Sequence, residues 1–288
     1  MCSLATNRES TLVRPLRPGD IHQLNRLISS DWRVQLRISP SELLTKIRSL
    51  PGFVAEDRVG LRGFIMFEPL PSQMGLLVAT GLRDTWRVEP YLDLLLPPVQ
   101  QSARANGLGA LAYIGNAEWL VDHLKSRGFQ VREWIVAYER AGSSLPPRLL
   151  PTPALLRTAH FNDLPALLNL DDLAFEHIWH KSAGNFSEAL ARADSFTVAL
   201  IDNHIVAYQW SELYGKHAHL TRLAVHPDYQ GRGIGAQLLH RAITDSLSLG
   251  ADWITLNTQE NNRRSQALYE RFGFVNTRQR IPVLWLDL

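Results

Sequence analysis

Cysteine is almost missing from this chain: Cys2 is the single thiol in 288 residues. One cysteine excludes an internal disulfide framework and a cysteine-rich zinc site. An excess of one charge is missing as well. Thirty Lys and Arg face 28 Asp and Glu, for a formal net charge of +2. That balance gives no electrostatic reason to expect a nucleic-acid or acidic-membrane partner. No window holds ~18 uninterrupted apolar residues, the length of a membrane span. The longest apolar run, Tyr91–Val99, is broken by Asp93, Pro97 and Pro98. Met1–Thr11 is polar and lacks the apolar centre of a signal peptide. These absences predict a soluble, cytoplasmic protein. With 45% apolar residues, the chain has enough material to bury real cores.

Proline and glycine are concentrated at one place. Ala141-Gly142-Ser143-Ser144-Leu145-Pro146-Pro147 runs into Leu150-Pro151-Thr152-Pro153, a density that breaks helix and strand alike. This linker predicts two domains, residues 1–148 and 149–288, and the two pieces resemble each other. Val13-Arg14 and Leu156-Arg157 each open a short strand, followed by a turn and a helix start near Asp20 or Asp163. Arg127-Gly128-Phe129 and Phe272-Gly273-Phe274 each precede a closing strand. Arg14 and Arg157 lie 143 positions apart, Gly128 and Gly273 145 apart. Two landmarks at nearly one offset, in the same order, predict an internal duplication.

In the second piece, Ser195–Asp202, Ile205–Leu213 and His217–Val225 read as consecutive strands, with a hairpin turn at Asp202-Asn203. A helix is expected from Ile234 to about Leu249, because Leu238, Leu239, Ala242 and Ile243 recur at helical spacing and Gly250 suits its end. A strand at Trp253–Thr258 and a short helix at Arg264–Phe272 follow. This is a mixed α/β order, not an alternating βα one.

Between strand and helix lies Gln230-Gly231-Arg232-Gly233-Ile234-Gly235-Ala236. Glycines let a backbone come close to an anion, the first N–H groups of a helix have no partner within it, and its dipole favours negative charge. The loop therefore suits a pyrophosphate, with Arg232 at its rim; the plain alternative is a tight turn. Gly231-x-Gly233-x-x-Ala236 also fits a dinucleotide fingerprint. Against that, His226–Gln230 separates the strand from the first glycine, and the next strand ends Asn257-Thr258-Gln259 without a carboxylate.

Leu223-Ala224-Val225-x-Pro227-x-x-Gln230-x-x-Gly233-x-Gly235 resembles the acetyl-CoA signature of the GNAT acyltransferase superfamily. A second signature of that superfamily, Asn262-x-x-Ser265-x-x-Leu268-Tyr269-x-x-x-Gly273-Phe274, follows at the expected distance. The resemblance implies two tandem GNAT-like acyltransferase folds of mixed α/β class, with acetyl-CoA as co-substrate. It implies that the backbone of residues 230–236 binds the pyrophosphate and that Leu223, Ala224 and Val225 pair with the pantetheine arm. Asn262 would touch the donor, Tyr269 would protonate the leaving thiolate, and the N–H of Val225 would meet the oxyanion.

An amine must lose its proton before it attacks a thioester. His219 lies where some members of the superfamily carry a catalytic glutamate, and Glu212 is the second candidate base. His217, His219 and Thr221 share one strand face. Asp172 and Glu176, four apart, would share a helix face and suit a cationic acceptor. His177 and His180 have helical spacing but no third ligand, so no metal is expected. In the first piece the corresponding segment, Leu82–Leu92, is bulky and contains Pro90 where glycines would be needed, and His123 stands where the second has Tyr269. That piece reads as a degenerate copy without a donor site.

The reading is an N-acetyltransferase acting on a small-molecule or peptide amine, a monomer or weak dimer. The alternative is a CoA- or acyl-CoA-binding sensor or scaffold without turnover.

Overall fold

A computed structural model of the chain describes residues 11–38, 40–146 and 152–288. Cys2 and the boundary expected at residues 148 and 149 lie outside the described residues. The chain divides into two compact units, Met1–Glu133 with Ile281–Leu288, and Trp134–Arg280. Among the described residues no helix is long and apolar enough to cross a membrane.

The first unit contains β1 (Leu12–Pro15), α1 (Ile21–Ser30), β2 (Val34–Leu36), α2 (Pro40–Lys46), β3 (Gly52–Asp57), β4 (Gly60–Leu70), β5 (Met74–Leu82), α3 (Val88–Ala105), β6 (Ala110–Ile114), α4 (Glu118–Lys125) and the beginning of β7 (Gln130–Ala141). The strands lie in the order β1-β3-β4-β5-β6, with β2 also beside β5. All nine residues of β5 are buried, as expected of a strand covered on both faces. The apolar run that the sequence breaks with Pro97 and Pro98 is helical, since both prolines sit inside α3. Packing of Tyr91, Leu92, Leu95, Leu96 and Val99 into the core outweighs the lost helix bonds.

The second unit contains β8 (Leu155–Thr158), α5 (Leu164–Ala174), α6 (Ala183–Arg192), β9 (Ser195–Ile201), β10 (His204–Tyr214), β11 (His217–Val225), α7 (Ile234–Ser248), β12 (Trp253–Gln259), α8 (Arg263–Arg271) and the beginning of β13 (Val275–Asp287). Asp202 and Asn203 both have positive φ, 49° and 63°, the geometry of the tight hairpin turn. One face of α7 supplies Leu238, Leu239, Ala242 and Ile243 to the interior, all nearly inaccessible.

The two units do not divide at the proline-rich segment. β7 closes the sequence of the first copy, yet its residues from Trp134 belong to the second unit. There they pair antiparallel with β12, from Ile135↔Gln259 to Ala141↔Trp253. β13 does the reverse. Its residues from Ile281 belong to the first unit, where Val283↔Ile114 to Asp287↔Ala110 completes the sheet beside β6. Hydrophobic patterning marks such strands as half-buried without saying which neighbour they will have.

The duplication has a structural counterpart inside each unit. In the first, the Arg14 guanidinium grips Asp20 through two bonds of 2.8 and 2.7 Å, and Asp20 accepts the Arg17 N–H. In the second, Arg157 grips Asp163 at 2.7 and 2.8 Å, and Asp163 accepts the His160 N–H. Each pair ties a first strand to the short 3₁₀ turn that starts the first helix.

The strand exchange sets an expectation for truncation. A fragment of residues 152–288 loses the β7 partner of β12, including buried Val136 and Tyr138, and retains a tail without its β6 partner. It is expected to aggregate. A fragment of residues 134–280 is expected to be monodisperse and to unfold cooperatively in urea, as size-exclusion chromatography and circular dichroism would read out.

Candidate active site

β11 is shared unequally by its neighbours. Along its whole length it pairs antiparallel with β10, from Tyr214↔His217 to Ala207↔Val225. Its parallel pairing with β12 runs from His217↔Trp253 only to Leu220↔Leu256. A register shift falls at the same place: Trp210 faces Arg222 and Ser211 faces Leu220, which leaves Thr221 as an extra residue. Such a bulge bends the strand that carries it. Where the pairing stops, a cleft of about 160 Å³ is lined by Leu220–Leu223 of β11, Leu256–Gln259 of β12, Ile135 of β7, Phe175, Trp179, and Asn262, Ser265 and Tyr269.

The glycine loop continues β11. Gly231 and Gly233 have φ of 83° and 80°, backbone that side chains with a Cβ rarely adopt, and Gly233 caps the start of α7. Gly235 differs. Its backbone is helical, and an added Cβ would meet Val225 at 3.5 Å, an ordinary contact. Nothing among the described residues therefore requires glycine there. Ile234 and Ala236 are buried and pack into the apolar core. Among the described residues, the N–H groups of Gly231 to Ala236 have no hydrogen-bond acceptor, and the first turn of α7 carries no acidic side chain. Geometry and field there both favour an anion.

The loop is braced from both sides. Gln230 donates from Nε2 to the Val225 carbonyl at 3.1 Å and accepts from Arg264 Nη1 at 2.6 Å. Arg232 folds back, with Nη2 on the Asp228 carbonyl at 3.0 Å and the guanidinium over the Tyr229 ring. The cation against the glycines is thus Arg264, whose Nη2 lies 3.6 Å from where a Cβ on Gly231 would be. It went unnoticed in the sequence, although a signal was present. Arg263 and Arg264 occupy the first turn of α8, where the helix dipole disfavours cations.

Tyr269 lines the cleft and is buried at 7% exposure, with its ring near Tyr138 and Phe274. Burial pushes its phenol up to about 12, with the Ser265 side chain acting in the other direction. Asn262 also lines the cleft and caps α8 by accepting the Ser265 N–H at 3.1 Å. Leu223 lines the cleft, while Ala224 is buried in the apolar cluster that includes Tyr208 and Trp210.

His219 and Glu212 are not among the cleft-lining residues, but they are brought together, directly opposite each other on β11 and β10. Burial, then His217, lowers the His219 pKa below its ordinary 6.5; Glu212 works against this and Lys181 adds to it. Glu212 accepts the Tyr214 hydroxyl at 2.7 Å.

The pairing expected of Asp172 and Glu176 on one helix face does not form. α5 ends at Ala174, and Phe175 is already extended, with φ −132° and ψ 159°. Both carboxylates are exposed, and Asp172 pairs with His180 at 3.1 Å. His180 also contacts the Phe175 carbonyl through Nε2. Among the described residues no group of three or more His, Cys, Asp or Glu is placed to hold a metal.

The neighbouring Asp171, which the sequence reading passed over, is fully buried. It accepts from Tyr208, from Arg222 Nε and Nη2 at 2.9 and 2.7 Å, and from the Lys181 N–H at 2.8 Å. Arg222 also donates to the Trp179 carbonyl at 2.8 Å and lies 3.4 Å over the Phe175 ring. This one pair positions the aromatic side of the cleft.

Residues 164–274 match the family model described as "Acetyltransferase (GNAT) family". A mycothiol acetyltransferase of Pseudarthrobacter chlorophenolicus is 27% identical over 274 residues, covering 87% of this chain and 84% of that protein. A [ribosomal protein bS18]-alanine N-acetyltransferase of Salmonella typhimurium is 29% identical over 114 residues, 39% of this chain and 74% of that one. Among solved structures, a tandem GNAT protein from the clavulanic acid biosynthesis pathway superposes with a TM-score of 0.65 at 14% identity, covering 96% of this chain and 98% of that chain. The last likeness concerns the fold alone.

Removing one partner of a buried ion pair costs more than the pair contributes, because the other group is stranded. Arg222→Met is therefore expected to lower unfolding stability by about 3–5 kcal/mol. Arg192→Met, which breaks an exposed pair with Glu188, should change it by less than ~1 kcal/mol. Urea denaturation of both variants checks the contrast.

Proposed function

Because the chain belongs to the GNAT superfamily and is an N-acetyltransferase, we propose that it moves an acetyl group from acetyl-CoA to a primary amine by direct attack. The observation that carries this reading is the opened strand pair β11/β12, with a phenol in the cleft and a row of free N–H groups at the adjoining helix start. The backbone of Gly231 to Ala236 would hold the pyrophosphate, with Arg264 adding charge. Leu223, Ala224, Val225 and Asn262 would line the path of the pantetheine arm. Bound there, acetyl-CoA supplies a thioester carbonyl open to attack.

The residues of the chain then divide the proton work. His219, with Glu212 opposite it, accepts the proton of the acceptor's ammonium, which leaves the nitrogen lone pair free. Its lowered pKa supports this, since the ring is neutral at pH 7 and loses its accepting capacity only as pH falls through that lowered value. The Val225 N–H faces the developing oxyanion. Tyr269 donates to the departing thiolate. A phenol raised to about 12 keeps its proton across the working range and gives it up only as pH nears that value.

The acceptor is a small-molecule or peptide amine, a class that includes both kinds of substrate named for the relatives above. In the first unit a donor site is not inferred. The first turn of α3 carries the carboxylate of Glu89, which disfavours an anion there, and Pro90, which has no N–H to offer. A second reading, binding without turnover, is separated from the first by assaying acetyl transfer to a panel of amines.

Two substitutions test the parts. Tyr269→Phe is expected to lower kcat by roughly 10²–10⁴-fold, with the KM for acetyl-CoA little changed; equal turnover would return the tyrosine to packing alone. Arg264→Glu places a carboxylate where the helix dipole favours one and where the donor's phosphates would not. It should leave or raise the urea midpoint while weakening acetyl-CoA in calorimetry, most strongly at low salt. Unchanged affinity would exclude Arg264 from the donor site.

A further inference from the structure

Tyr269 meets a difficulty as an acid. Burial holds its phenol at about 12, whereas an ordinary thiol loses its proton at about 8.5. Passing the proton from this phenol to a departing thiolate is therefore uphill by roughly 10³–10⁴-fold. The charge that appears on the phenol oxygen needs a hydrogen-bond donor.

The surroundings of the ring offer few. Tyr138 and Phe274 lie with ring centroids 6.1 Å away. The Tyr138 hydroxyl is 3.2 Å from Glu270 Oε1, which takes its proton. Among the described residues, no charged group acts on the Tyr269 phenol. One side chain works against its burial: Ser265, through a hydrogen bond that favours the ionised form.

Geometry places Ser265 for this task. It stands four residues before Tyr269 on α8, the spacing that puts two side chains on one helix face. Both residues line the cleft. Helical side chains lean toward the N-terminus, so Tyr269 reaches over the turn that carries Ser265. Asn262 Oδ1 accepts the Ser265 N–H at 3.1 Å and fixes that turn. Elsewhere in the chain, helical hydroxyls are spent on the carbonyl one turn back: Ser246 donates to Ala242 at 2.8 Å and Thr244 to His240 at 2.9 Å. Ser265 lies in the first turn of α8, with no helical turn behind it.

We propose that the Ser265 hydroxyl donates to the Tyr269 phenol oxygen as the proton leaves, so that α8 carries a two-residue acid rather than a lone tyrosine. This inference rests on Tyr269 being the acid. In the step, the Tyr269 O–H bond breaks and its electron pair stays on the phenol oxygen. The proton forms the S–H bond of the departing thiol. Ser265 keeps its own proton and shares it with the phenolate, and water entering the cleft then returns the proton that Tyr269 gave up.

Ser265→Ala in the full chain tests this, with acetyl-CoA and an amine from the acceptor panel. Alanine is the better helix former at this half-exposed position, so the urea midpoint should not fall. The kcat should drop about 10-fold, the worth of one hydrogen bond to a charged group, with the KM for acetyl-CoA unchanged. Added to Tyr269→Phe, the same substitution should cost nothing more, because no phenolate then forms. A raised KM with kcat intact would make Ser265 a donor-binding residue, and a further loss in the double variant would make it independent of Tyr269; either overturns the proposal. Full turnover by Tyr269→Phe removes the acid itself, whereas a slow Tyr269→Phe beside an unimpaired Ser265→Ala leaves the acid standing and sinks its partner. A readout without turnover is the titration of the full chain with a difluorotyrosine, more acidic than tyrosine, at position 269. Its ¹⁹F ionisation midpoint should rise by about one unit on Ser265→Ala, the same tenfold effect read at equilibrium. An unmoved midpoint overturns the proposal as well.

Discussion

Asp171 has no access to water, so each lone pair that its carboxylate does not share with the protein is a lost hydrogen bond. Its four hydrogen bonds come from three residues: Tyr208 on β10, Arg222 on β11, and the backbone of Lys181, all reaching a residue near the end of α5. The chain between α5 and α6 is thereby pinned to the sheet. Phe175 and Trp179 are held at the cleft because Arg222, oriented by Asp171, stacks on one and donates to the carbonyl of the other. A buried pair of this kind adds little net stability. What it contributes here is position. The loop that borders the site has one arrangement in which the carboxylate is satisfied, and that arrangement forms the cleft wall.

The site arises from one sheet strand with two behaviours. As far as Leu220, β11 is an ordinary inner strand; beyond the bulge at Thr221 it keeps β10 and leaves β12. The same strand then feeds the glycine loop, and Gln230 ties the loop back to Val225 and across to α8. Cleft and glycine loop are thus two ends of one local distortion. The first unit has the corresponding order of strands and helices, but the first turn of its α3 carries an acidic residue, Glu89, where that of α7 carries none. Each unit keeps an Arg–Asp clasp at its start.

How much of this could be read beforehand depended on the range of the interaction. Local patterns were legible. The Asp202-Asn203 turn, the His217–Val225 strand, the α7 periodicity and the positive-φ glycines lie where residue chemistry placed them, within a residue or two at the ends. Long-range choices were not. Asp171 and Asp172 are indistinguishable as letters, yet one is the most buried carboxylate of the unit and the other faces solvent. Glu176 left its expected helix face because α5 stops at Ala174 to let Phe175 extend toward Arg222. Arg264 was visible only as an anomaly, a cation at a helix start. The exchange of β7 and β13 leaves no local trace, since an amphipathic strand carries no address for its neighbour.

That exchange has a consequence for the order in which the protein can be completed during synthesis. Domains made on the ribosome tend to fold as units, the amino-terminal one first. Here β6 cannot acquire its last neighbour until residues 281–288 have been made, because Ile114 waits for Val283 and Ala110 for Asp287. The amino-terminal unit thus stays an open-edged intermediate throughout translation of the carboxy-terminal one. The second unit, by contrast, holds its β7 segment from the outset and can close around it as β12 emerges. An unpaired inner edge is an aggregation hazard for as long as it persists. A pairing so distant in sequence is also slow to form, because a long loop must be closed first. Maturation therefore runs against the direction of synthesis: the later half of the chain finishes before the earlier half.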